Sequence, residues 1–492
     1  MRDKLKLRVF FIISVLVLCV SCTIRDYQND PFYMIKLGEY ISKHGIDFFD
    51  HFCWIGNLSY TYPHWLYDLF LYYIYDFLGF FGIYLSIILS FIALISVVYY
   101  IHLKVHKNEF IALFISFLTV FVLSPFVTAR AQVISAILFM LEVYFLDRLS
   151  DMGKNKYLIY LMILSLLIAN IHGTSWLFFF ILFLPMLAQG ILYSLLHKKI
   201  IFKRLILKKN IYLKKVFIAF LMCFGMGLLS PSRICYSYVF RIMMGDSQKY
   251  IIEHLPLVVI NNPFFIVIVG VLLLVLIFTN VKVYLYEFLM IFGLLFMSLL
   301  SFRHLSFFYL IGVLYISKIC VRALKKHNDV TLDILISMFV KKKIIYYGML
   351  LVVIGISCYH FVDKDYYKSS FIDKKEYPVD AVIYIKNNLD VSQLKIYNGY
   401  NYGSYLLFND IPVFIDSRCD LYLKEFNGMK YSLFNEMKDI DFKYEKKFKK
   451  YNVSHVILNK HNSFYMTLVK DNNYNIIYQD RFFILFEVID YE

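Results

Sequence analysis

GIYLSIILSFIALISVVYYI, residues 82–101, is a run of twenty residues without a single charge. An α-helix of that length rises about 30 Å, which matches the hydrocarbon core of a bilayer. Similar apolar runs recur along most of the chain and mark eleven expected spans: 8–23, 82–103, 109–126, 132–147, 156–171, 174–196, 214–230, 261–280, 284–301, 304–321 and 343–361. The sequence therefore predicts a polytopic α-helical membrane protein.

The composition fits lipid as the main solvent of the chain. Of the 492 residues, 60% are hydrophobic and 18% are charged, whereas about a quarter of a soluble domain is charged. The 51 Lys and Arg exceed the 36 Asp and Glu only within residues 1–363, because residues 364–492 contain 18 of each sign. Nucleic-acid binding needs a soluble basic face, and none is evident, so no nucleic-acid partner is expected.

The charges of the loops orient the predicted spans. Loops 197–213 and 322–342 are rich in Lys and Arg, whereas loop 24–64 is acidic. Basic loops stay inside, so loop 24–64 lies outside, and an odd number of spans puts residues 364–492 outside as well. We therefore predict a multi-pass cell-membrane protein with a membrane domain at 1–363 and an extracytoplasmic domain at 364–492.

Two stretches of the outer loop region are predicted to form surface helices. Residues 30–45 space their apolar side chains on one helical face and end in Gly45, which indicates an amphipathic helix on the outer leaflet. Residues 65–81 are apolar but contain two aspartates. This second stretch fits an interfacial helix or the first half of a long second span.

The tail has a different character, with no run long enough to cross a bilayer. A helix is expected at 377–389, and helical structure at 421–450. Six short strands are predicted: LKIYNG (394–399), YLLF (405–408), PVFID (412–416), HVILN (455–459), YNIIYQD (474–480) and FFILFEV (482–488). The tail is thus expected to be an extracytoplasmic α/β domain, with α+β as the other arrangement of the same elements.

Ionisable residues gather at the predicted outer ends of the spans. Charges at membrane depth are costly and usually face a cavity or a partner, so this gathering indicates one site at the outer interface. The gathered residues are Asp26, Asp30, His64, Arg130, His172, Arg233, Arg241, Glu253, His254, Arg303 and His304. Of these, Asp26, Asp30, His64, Arg130, His172, Arg303 and His304 are the candidate site residues. Arginine and histidine donate hydrogen bonds to phosphate, and a carboxylate takes a proton from an attacking hydroxyl or holds a divalent cation. This set suits group transfer from a lipid phosphate.

The candidates also have structural interpretations. Asp30 precedes a proline and fits the cap of a helix at 31–45, and Asp26 fits a solvated loop. Arg130 and Arg303 fit snorkelling to lipid headgroups.

Two of the candidate histidines are considered as zinc ligands, and an Asp–Arg pair in the tail is considered as a loop-fixing ion pair. His64 and His172 lack a close third zinc ligand, and the cysteines show no metal-ligand spacing, so no metal site is predicted. In the tail, Asp416 and Arg418 are placed at a sheet edge by the predicted strands. They fit an ion pair that fixes a loop, which is the preferred interpretation, or an acceptor-binding or lid role.

The order of these features resembles the GT-C superfamily of membrane glycosyltransferases, which includes oligosaccharyltransferases, protein O-mannosyltransferases and aminoarabinose transferases. It is similar in particular to a bacterial group of polytopic membrane proteins assigned to that superfamily. The segments that carry the resemblance are DPFYMIKLGEYISKHGIDFFDHF (30–52), YPHWLYDLFLYYIY (62–75), ARAQVISAILF (129–139), ANIHGTSW (169–176), YPVDAVIYI (377–385), YNYGSYLLF (400–408) and PVFIDSRCDLY (412–422).

The resemblance implies a reaction and places residues in it. It implies transfer of a sugar, usually with inversion, from a polyprenyl-phosphate or diphosphate donor to a glycan, lipid or protein acceptor. In this superfamily an acidic residue of the first outer loop acts as general base or metal ligand, and Asp26 and Asp30 occupy that place. A divalent cation is the one cofactor it implies. DYQND (26–30) spaces its carboxylates four apart instead of adjacent, and the tail has no WWD motif.

The remaining candidates then divide by role. Arg130, Arg303 and His304 hold the phosphate, while His64 and His172 shape the pocket. Two alternatives stay open: a polymerase or ligase of surface polysaccharide, and a membrane transporter or assembly scaffold without enzymatic activity. Transport predicts internal repeats or broken helices at mid-membrane, and the charges lie instead at one surface.

Overall fold

The computed structural model describes most of the chain. The described residues are 2–23, 27–56, 58–196, 203–209, 211–231, 233–244, 252–327, 348, 351–359, 371–437 and 440–489. The chain divides into two compact units. The first, here the membrane unit, comprises Met1–Ile24, Leu85–Tyr236 and Lys249–Tyr366. The second, here the mixed unit, comprises Arg25–Tyr84, Ser237–Gln248 and Tyr367–Glu492.

The membrane unit is built from long apolar helices. They are Arg2–Cys22, the later part of Trp65–His106, Glu109–Leu123, Gln132–Met152, Asn155–Ile171, Trp176–Leu196, Leu213–Met226, Pro263–Phe278, Leu285–Leu300 and Val313–His327. Single helical turns join several of them: Ser124–Phe126, Gly173–Ser175, Gly227–Leu229, Ile234–Tyr236, Ile252–His254, Val259–Asn261, Phe302–His304 and Leu305–Phe307. A π-turn, Phe308–Gly312, leads into the last helix. Leu205–Ile206 pairs in parallel with Val283–Tyr284.

Within the described part of the chain, four helical stretches are long and apolar enough to cross a bilayer: Trp65–His106, Glu109–Phe126, Gly173–Leu196 and Phe302–Lys326. Shorter apolar helices accompany them: Arg8–Cys22, Asn155–Ile171, Pro263–Phe278 and Leu285–Leu300. The first ten predicted spans fall on helices of the structure. The eleventh, 343–361, is described only at 348 and 351–359, which are helical. The chain is therefore a multi-pass membrane protein, and the number of spans stays a prediction.

The mixed unit holds a small four-stranded sheet with helices around it. Its strands are Ile396–Tyr397, His455–Asn459, Tyr474–Gln479 and Phe483–Val488, and Phe483–Val488 lies between the two strands that precede it. The first strand runs parallel to His455–Asn459, and the other pairings are antiparallel. The helices are Asp30–His44, the first part of Trp65–His106, Tyr238–Met244, Val379–Asn388, Tyr400–Phe408, Leu433–Met437, Ile440–Tyr451 and Tyr465–Val469.

Two of the six predicted tail strands are wrong. YLLF belongs to the helix Tyr400–Phe408, whose residues 402–407 are buried. Gly403 lets this helix cross residue 415 closely, since a Cβ there would lie 2.0 Å from the Ile415 carbonyl oxygen. PVFID is not a strand of the sheet, because its backbone pairs with the outer loop. The Val413 amide donates to the Phe52 carbonyl at 3.2 Å, and the Trp54 amide donates to the Val413 carbonyl at 3.1 Å.

Those backbone bonds also explain why the outer loop and the tail form one unit. The indole of Trp54 donates to the Ile396 carbonyl at 2.9 Å, and the Ser59 amide donates to the Asn427 carbonyl at 3.1 Å. The division predicted at 363/364 groups loop 24–64 with the membrane domain instead. The helix predicted at 377–389 is present as Val379–Asn388, whereas 421–432 are not α-helical.

The two predicted surface helices of the outer loop region are helical. Asp30–His44 buries most of its first half, and the Phe32 ring meets the rings of Tyr377 and Tyr405 at 5.0 and 5.1 Å. Gly38 permits close packing on the next helix, because a Cβ there would lie 2.2 Å from the Asp68 carbonyl oxygen. That next helix is continuous with the second span apart from a break at Gly79, whose φ is 61°. Glycine tolerates this left-handed conformation.

Candidate functional site

Arg130 lies in the short turn that joins the helices Glu109–Leu123 and Gln132–Met152. Its Nη1 donates to Glu253 Oε1 at 2.7 Å. The arginine side chain is 20% exposed and the glutamate 38%, so the pair lies at the rim of the packed helices instead of inside them. A charge-assisted bond of this kind is strong but remains open to competition from another anion.

Arg303 lies in the turn Phe302–His304, between the helices Leu285–Leu300 and Val313–His327. Its Nη1 lies 3.4 Å from His254 Nε2. Burial, and then the nearby Arg303 charge, lower the pKa of His254 to about 4. The imidazole is therefore neutral at pH 7, and we assign its Nε2 as the acceptor of the arginine proton.

Backbone bonds fix the segment 252–257 on the turn that carries Arg303. The Ser301 hydroxyl donates to the Glu253 carbonyl at 3.1 Å. The Phe302 amide donates to the Leu255 carbonyl at 3.0 Å, and the Leu257 amide donates to the Leu299 carbonyl at 3.2 Å. The carboxylate and imidazole are thus held beside the two arginines. We name Arg130, Glu253, His254 and Arg303 the arginine cluster.

The two arginines of the cluster keep Glu253 ionised. Burial by itself raises the pKa of Glu253, but the charges of Arg130 and Arg303 outweigh it, so the pKa lies below its ordinary value. Glu253 is therefore ionised at neutral pH. Among the described residues two guanidinium groups face this carboxylate, and guanidinium groups are suited to binding an anion such as phosphate.

His304 lies next to Arg303 and is half-buried. Within the described residues its Nδ1 has no hydrogen-bond partner. Its ring lies nearly parallel to that of Phe178, with centroids 6.4 Å apart. The π-turn Phe308–Gly312 follows within one turn; such turns are frequent at functional sites. His304 thus presents an unused polar atom beside the cluster.

The structure gives His172 a role in holding the backbone. Its side chain is buried, with Nδ1 2.7 Å from the Ser135 hydroxyl and Nε2 3.2 Å from the Ser175 hydroxyl. Both ring nitrogens are thus engaged between the helix Gln132–Met152 and the turn Gly173–Ser175. This places His172 inside the packing that supports the turn, away from solvent.

The acidic candidates belong to the mixed unit. Asp26 lies outside the described residues. Asp30 is the first residue of the helix Asp30–His44, so the predicted cap position belongs to Asn29, whose side chain makes no cap bond and donates instead to the Tyr400 carbonyl at 2.7 Å. The Asp30 carboxylate at this helix start is favoured by the helix dipole. His64 precedes the helix that starts at Trp65 and is half-buried.

A second arginine–carboxylate group lies in the mixed unit, around Arg418. Its Nε lies 3.0 and 3.1 Å from the two Asp416 carboxylate oxygens, and its Nη2 donates to Asp416 Oδ2 at 2.7 Å. Nη1 donates to Asp50. The rings of Phe52 and Tyr60 lie over the guanidinium at 5.4 and 5.2 Å.

We name Asp50, Asp416 and Arg418 the buried network. All three side chains are 1% exposed or less. The Tyr422 hydroxyl also donates to Asp416 at 2.8 Å. The predicted loop-fixing pair is therefore present, although it lies in an irregular segment and not at a sheet edge.

Of the two carboxylates that the resemblance implies for a divalent cation, only Asp30 is among the described residues. Nowhere in the described part of the chain do three His, Cys, Asp or Glu side chains come together as ligands. We therefore route no step of the chemistry through a metal.

Sequence reasoning included Glu253 and His254 in the same outer gathering as the arginines, but it assigned a role only to Arg130 and Arg303. The local signal was present, since EHLP (253–256) puts two ionisable residues before a proline in an apolar region. The sequence did not show which residues pair, because 123 positions separate Arg130 from Glu253 and 49 separate Arg303 from His254.

No protein-family model matches the chain, and no curated protein matches it by sequence. Solved structures do match. The archaeal oligosaccharyltransferase AglB from Archaeoglobus fulgidus, in complex with an inhibitory peptide and a dolichol-phosphate, has a TM-score of 0.63 at 10% identity, over 93% of this chain and 70% of its own. ArnT from Cupriavidus metallidurans in the apo state has a TM-score of 0.57 at 11% identity, over 99% and 98%.

ArnT from the same organism bound to undecaprenyl phosphate has a TM-score of 0.52 at 11% identity, over 97% of both chains. Both neighbours are GT-C membrane glycosyltransferases. At these identities the likeness is one of fold. The resemblance is thereby confirmed at the level of the fold, which this chain shares with both neighbours.

Proposed function

We propose that this protein is a glycosyltransferase that moves a sugar from a polyprenyl-phosphate donor to a glycan, lipid or protein acceptor at the outer membrane surface. The arginine cluster is the observation that carries the proposal. It holds two partly exposed guanidinium groups in turns at the ends of membrane helices, where the phosphate of a lipid lies. The fold supports it too, since one neighbour structure contains dolichol-phosphate and another undecaprenyl phosphate.

The proposed reaction exchanges one C–O bond for another. The acceptor hydroxyl attacks the anomeric carbon of the sugar, and its proton passes to a carboxylate, Asp26 or Asp30. The bond between the anomeric carbon and the phosphate oxygen breaks, and its electron pair leaves with the polyprenyl phosphate. Arg130 and Arg303 stabilise the charge that develops on that phosphate, because they are fixed donors aimed at an anion.

The histidines are proposed to act around this exchange. His304 donates a further hydrogen bond to the phosphate, and His254 orients Arg303 through Nε2. His172 is a positioning residue, because its two serine bonds hold a turn between helices. His64 shapes the sugar pocket. The divalent cation has no role in these steps.

The proposal includes the topology expected from the sequence. Eleven spans with the N-terminus inside put both loop 24–64 and the tail outside. The hydrogen bonds that join this loop to the tail support a shared side for both, since they need one compartment.

The direct test uses purified protein in liposomes with a labelled polyprenyl-phosphate sugar and a cell-envelope extract as acceptor. Wild-type protein is expected to transfer label, and Asp26→Asn or Asp30→Asn is expected to lower the rate by about 100-fold or more, as loss of a general base does. Transfer that survives in both variants would exclude the two aspartates as bases. Absence of any transfer by wild type, with donor shown to bind, would favour a scaffold.

A further inference from the structure

We propose that Glu253 reduces the preference of the arginine cluster for a doubly charged phosphate monoester over a singly charged phosphodiester. This inference rests on the proposed function and deepens it. In the donor the phosphate is esterified to both polyprenol and sugar, and it carries one negative charge. The carrier left after transfer is a monoester with a charge of about −1.5 to −2 at pH 7.

The geometry keeps Glu253 at the position that an anion would take. Its Oε1 accepts from Arg130 Nη1 at 2.7 Å. Its own carbonyl is held by the Ser301 hydroxyl, and the next residues are held by the turn 299–302. These bonds hold the backbone of Glu253, so its carboxylate remains within Coulomb range of the arginines even when a phosphate takes over the hydrogen bond from Arg130. A phosphate bound there meets one fixed negative charge as well as two positive ones.

The effect of that carboxylate depends on the charge of the ligand. Coulomb repulsion is proportional to the product of the two charges, so a dianion is repelled about twice as strongly as a monoanion at the same distance. Glu253 thus weakens binding of the released carrier more than binding of the donor. During turnover this selectivity promotes release of the carrier and reduces product inhibition.

The groups that face Glu253 keep their charges across the useful pH range. Among the described residues they are Arg130 from one turn, Arg303 from another and the adjacent His254, which in turn faces His304. The arginines stay charged, and a His254 pKa of about 4 keeps that ring mostly neutral down to pH 5. The titrating phosphate therefore dominates the change in charge, since its second pKa is about 6.

The test compares two lipids that differ by one methyl group. Wild type and Glu253→Gln are titrated in detergent with undecaprenyl phosphate and with its methyl ester, at pH 7.5 and pH 5. At pH 7.5 the variant is expected to bind the methyl ester about 3-fold and the free phosphate about 10-fold more tightly than wild type. At pH 5 both lipids carry one charge, so both gains are expected to be about 3-fold.

Two variants serve as controls. Glu253→Asp keeps the charge and is expected to keep the wild-type preference between the lipids. Asp151→Asn removes a carboxylate of similar exposure, 41% against 38%, that pairs with Lys208 in the same unit. It is expected to change neither affinity.

The outcomes distinguish a failure of this inference from a failure of the proposed function on which it rests. If wild type binds both lipids and Glu253→Gln changes both affinities by the same factor at pH 7.5, Glu253 does not select by charge and the inference is overturned. A weaker affinity of Glu253→Gln for both lipids would overturn it too, and would make Glu253 a positioning residue. If wild type binds neither lipid, the proposed function itself fails.

Discussion

The two arginine–carboxylate groups differ in how deeply they are buried. In the buried network all three nitrogens of the Arg418 guanidinium bond to carboxylates, and the side chain is fully buried. In the arginine cluster Arg130 is partly exposed and gives Nη1 to Glu253. An arginine saturated inside the protein holds structure, whereas one at a rim can exchange its partner for a ligand anion. We therefore assign stabilisation of the fold to the buried network and ligand binding to the arginine cluster.

Breaking the buried network is expected to have the largest effect. Arg418→Met leaves Asp50 and Asp416 buried without their counter-charge, and removal of one partner of a buried ion pair costs about 3–5 kcal/mol. Thermal unfolding in detergent measures the loss. Lys424→Met is the control, because that lysine is 58% exposed and its loss should cost about 0.5 kcal/mol or less. Unchanged stability of Arg418→Met would show that the network does not hold the fold.

The helix beneath the buried network gives the next largest effect. Gly403→Ala brings a Cβ to 2.0 Å from the Ile415 carbonyl oxygen, next to Asp416. Overpacking of this kind costs about 1–3 kcal/mol in unfolding free energy. Gly225→Ala is the matched control, since no atom lies within 4 Å of its added Cβ. Equal unfolding temperatures for the two variants would contradict the close crossing.

The opposite behaviour is expected at the arginine cluster. Arg303→Gln should leave the unfolding temperature within a few degrees of wild type, because the side chain is partly exposed. It should lower kcat/KM for sugar transfer about 10- to 100-fold, the usual effect of losing a hydrogen bond to a charged group. Arg148→Gln, on the helix Gln132–Met152, is expected to keep wild-type kinetics. A large fall in stability with little change in kcat/KM would reverse the assignment.

The smallest expected effect is the pH dependence contributed by His254. Its pKa is about 4 in the folded protein and about 6.5 in the unfolded chain. The unfolded chain therefore binds more protons between these values, so this group lowers stability as pH falls from about 6.5 to about 4. His254→Asn should flatten part of the decline in unfolding temperature between pH 7 and pH 5. Parallel curves for variant and wild type would mean that His254 titrates normally.

The fold was predictable where local patterns decide it. Apolar runs of spanning length located the helices, because backbone groups in lipid must be satisfied within a helix. Strand prediction failed where contacts with residues far away in the chain determine the local structure. PVFID reads as a strand, but its partners at 52–54 lie some 360 residues earlier in the chain, and YLLF lies in a helix that needs Gly403 to approach its neighbour.

The site was predictable in its residues and not in their pairing. Arg130, Arg303 and His304 stood out as charges at helix ends, and the structure brings the first two together with Glu253 and His254. His172 stood out equally, yet two serines engage it. Sequence pattern alone could not distinguish a rim arginine from a saturated one, because saturation depends on contacts such as Arg418 to Asp50, 368 residues apart.

The central claim is that the arginine cluster binds a lipid phosphate. The most direct measurement is the affinity of purified wild type and the double variant Arg130→Gln/Arg303→Gln for undecaprenyl phosphate in detergent, with unfolding temperature recorded beside it. Loss of two charge-assisted hydrogen bonds predicts an affinity lower by about 100-fold or more, at an unfolding temperature close to that of wild type. Wild-type affinity in the double variant would contradict the claim.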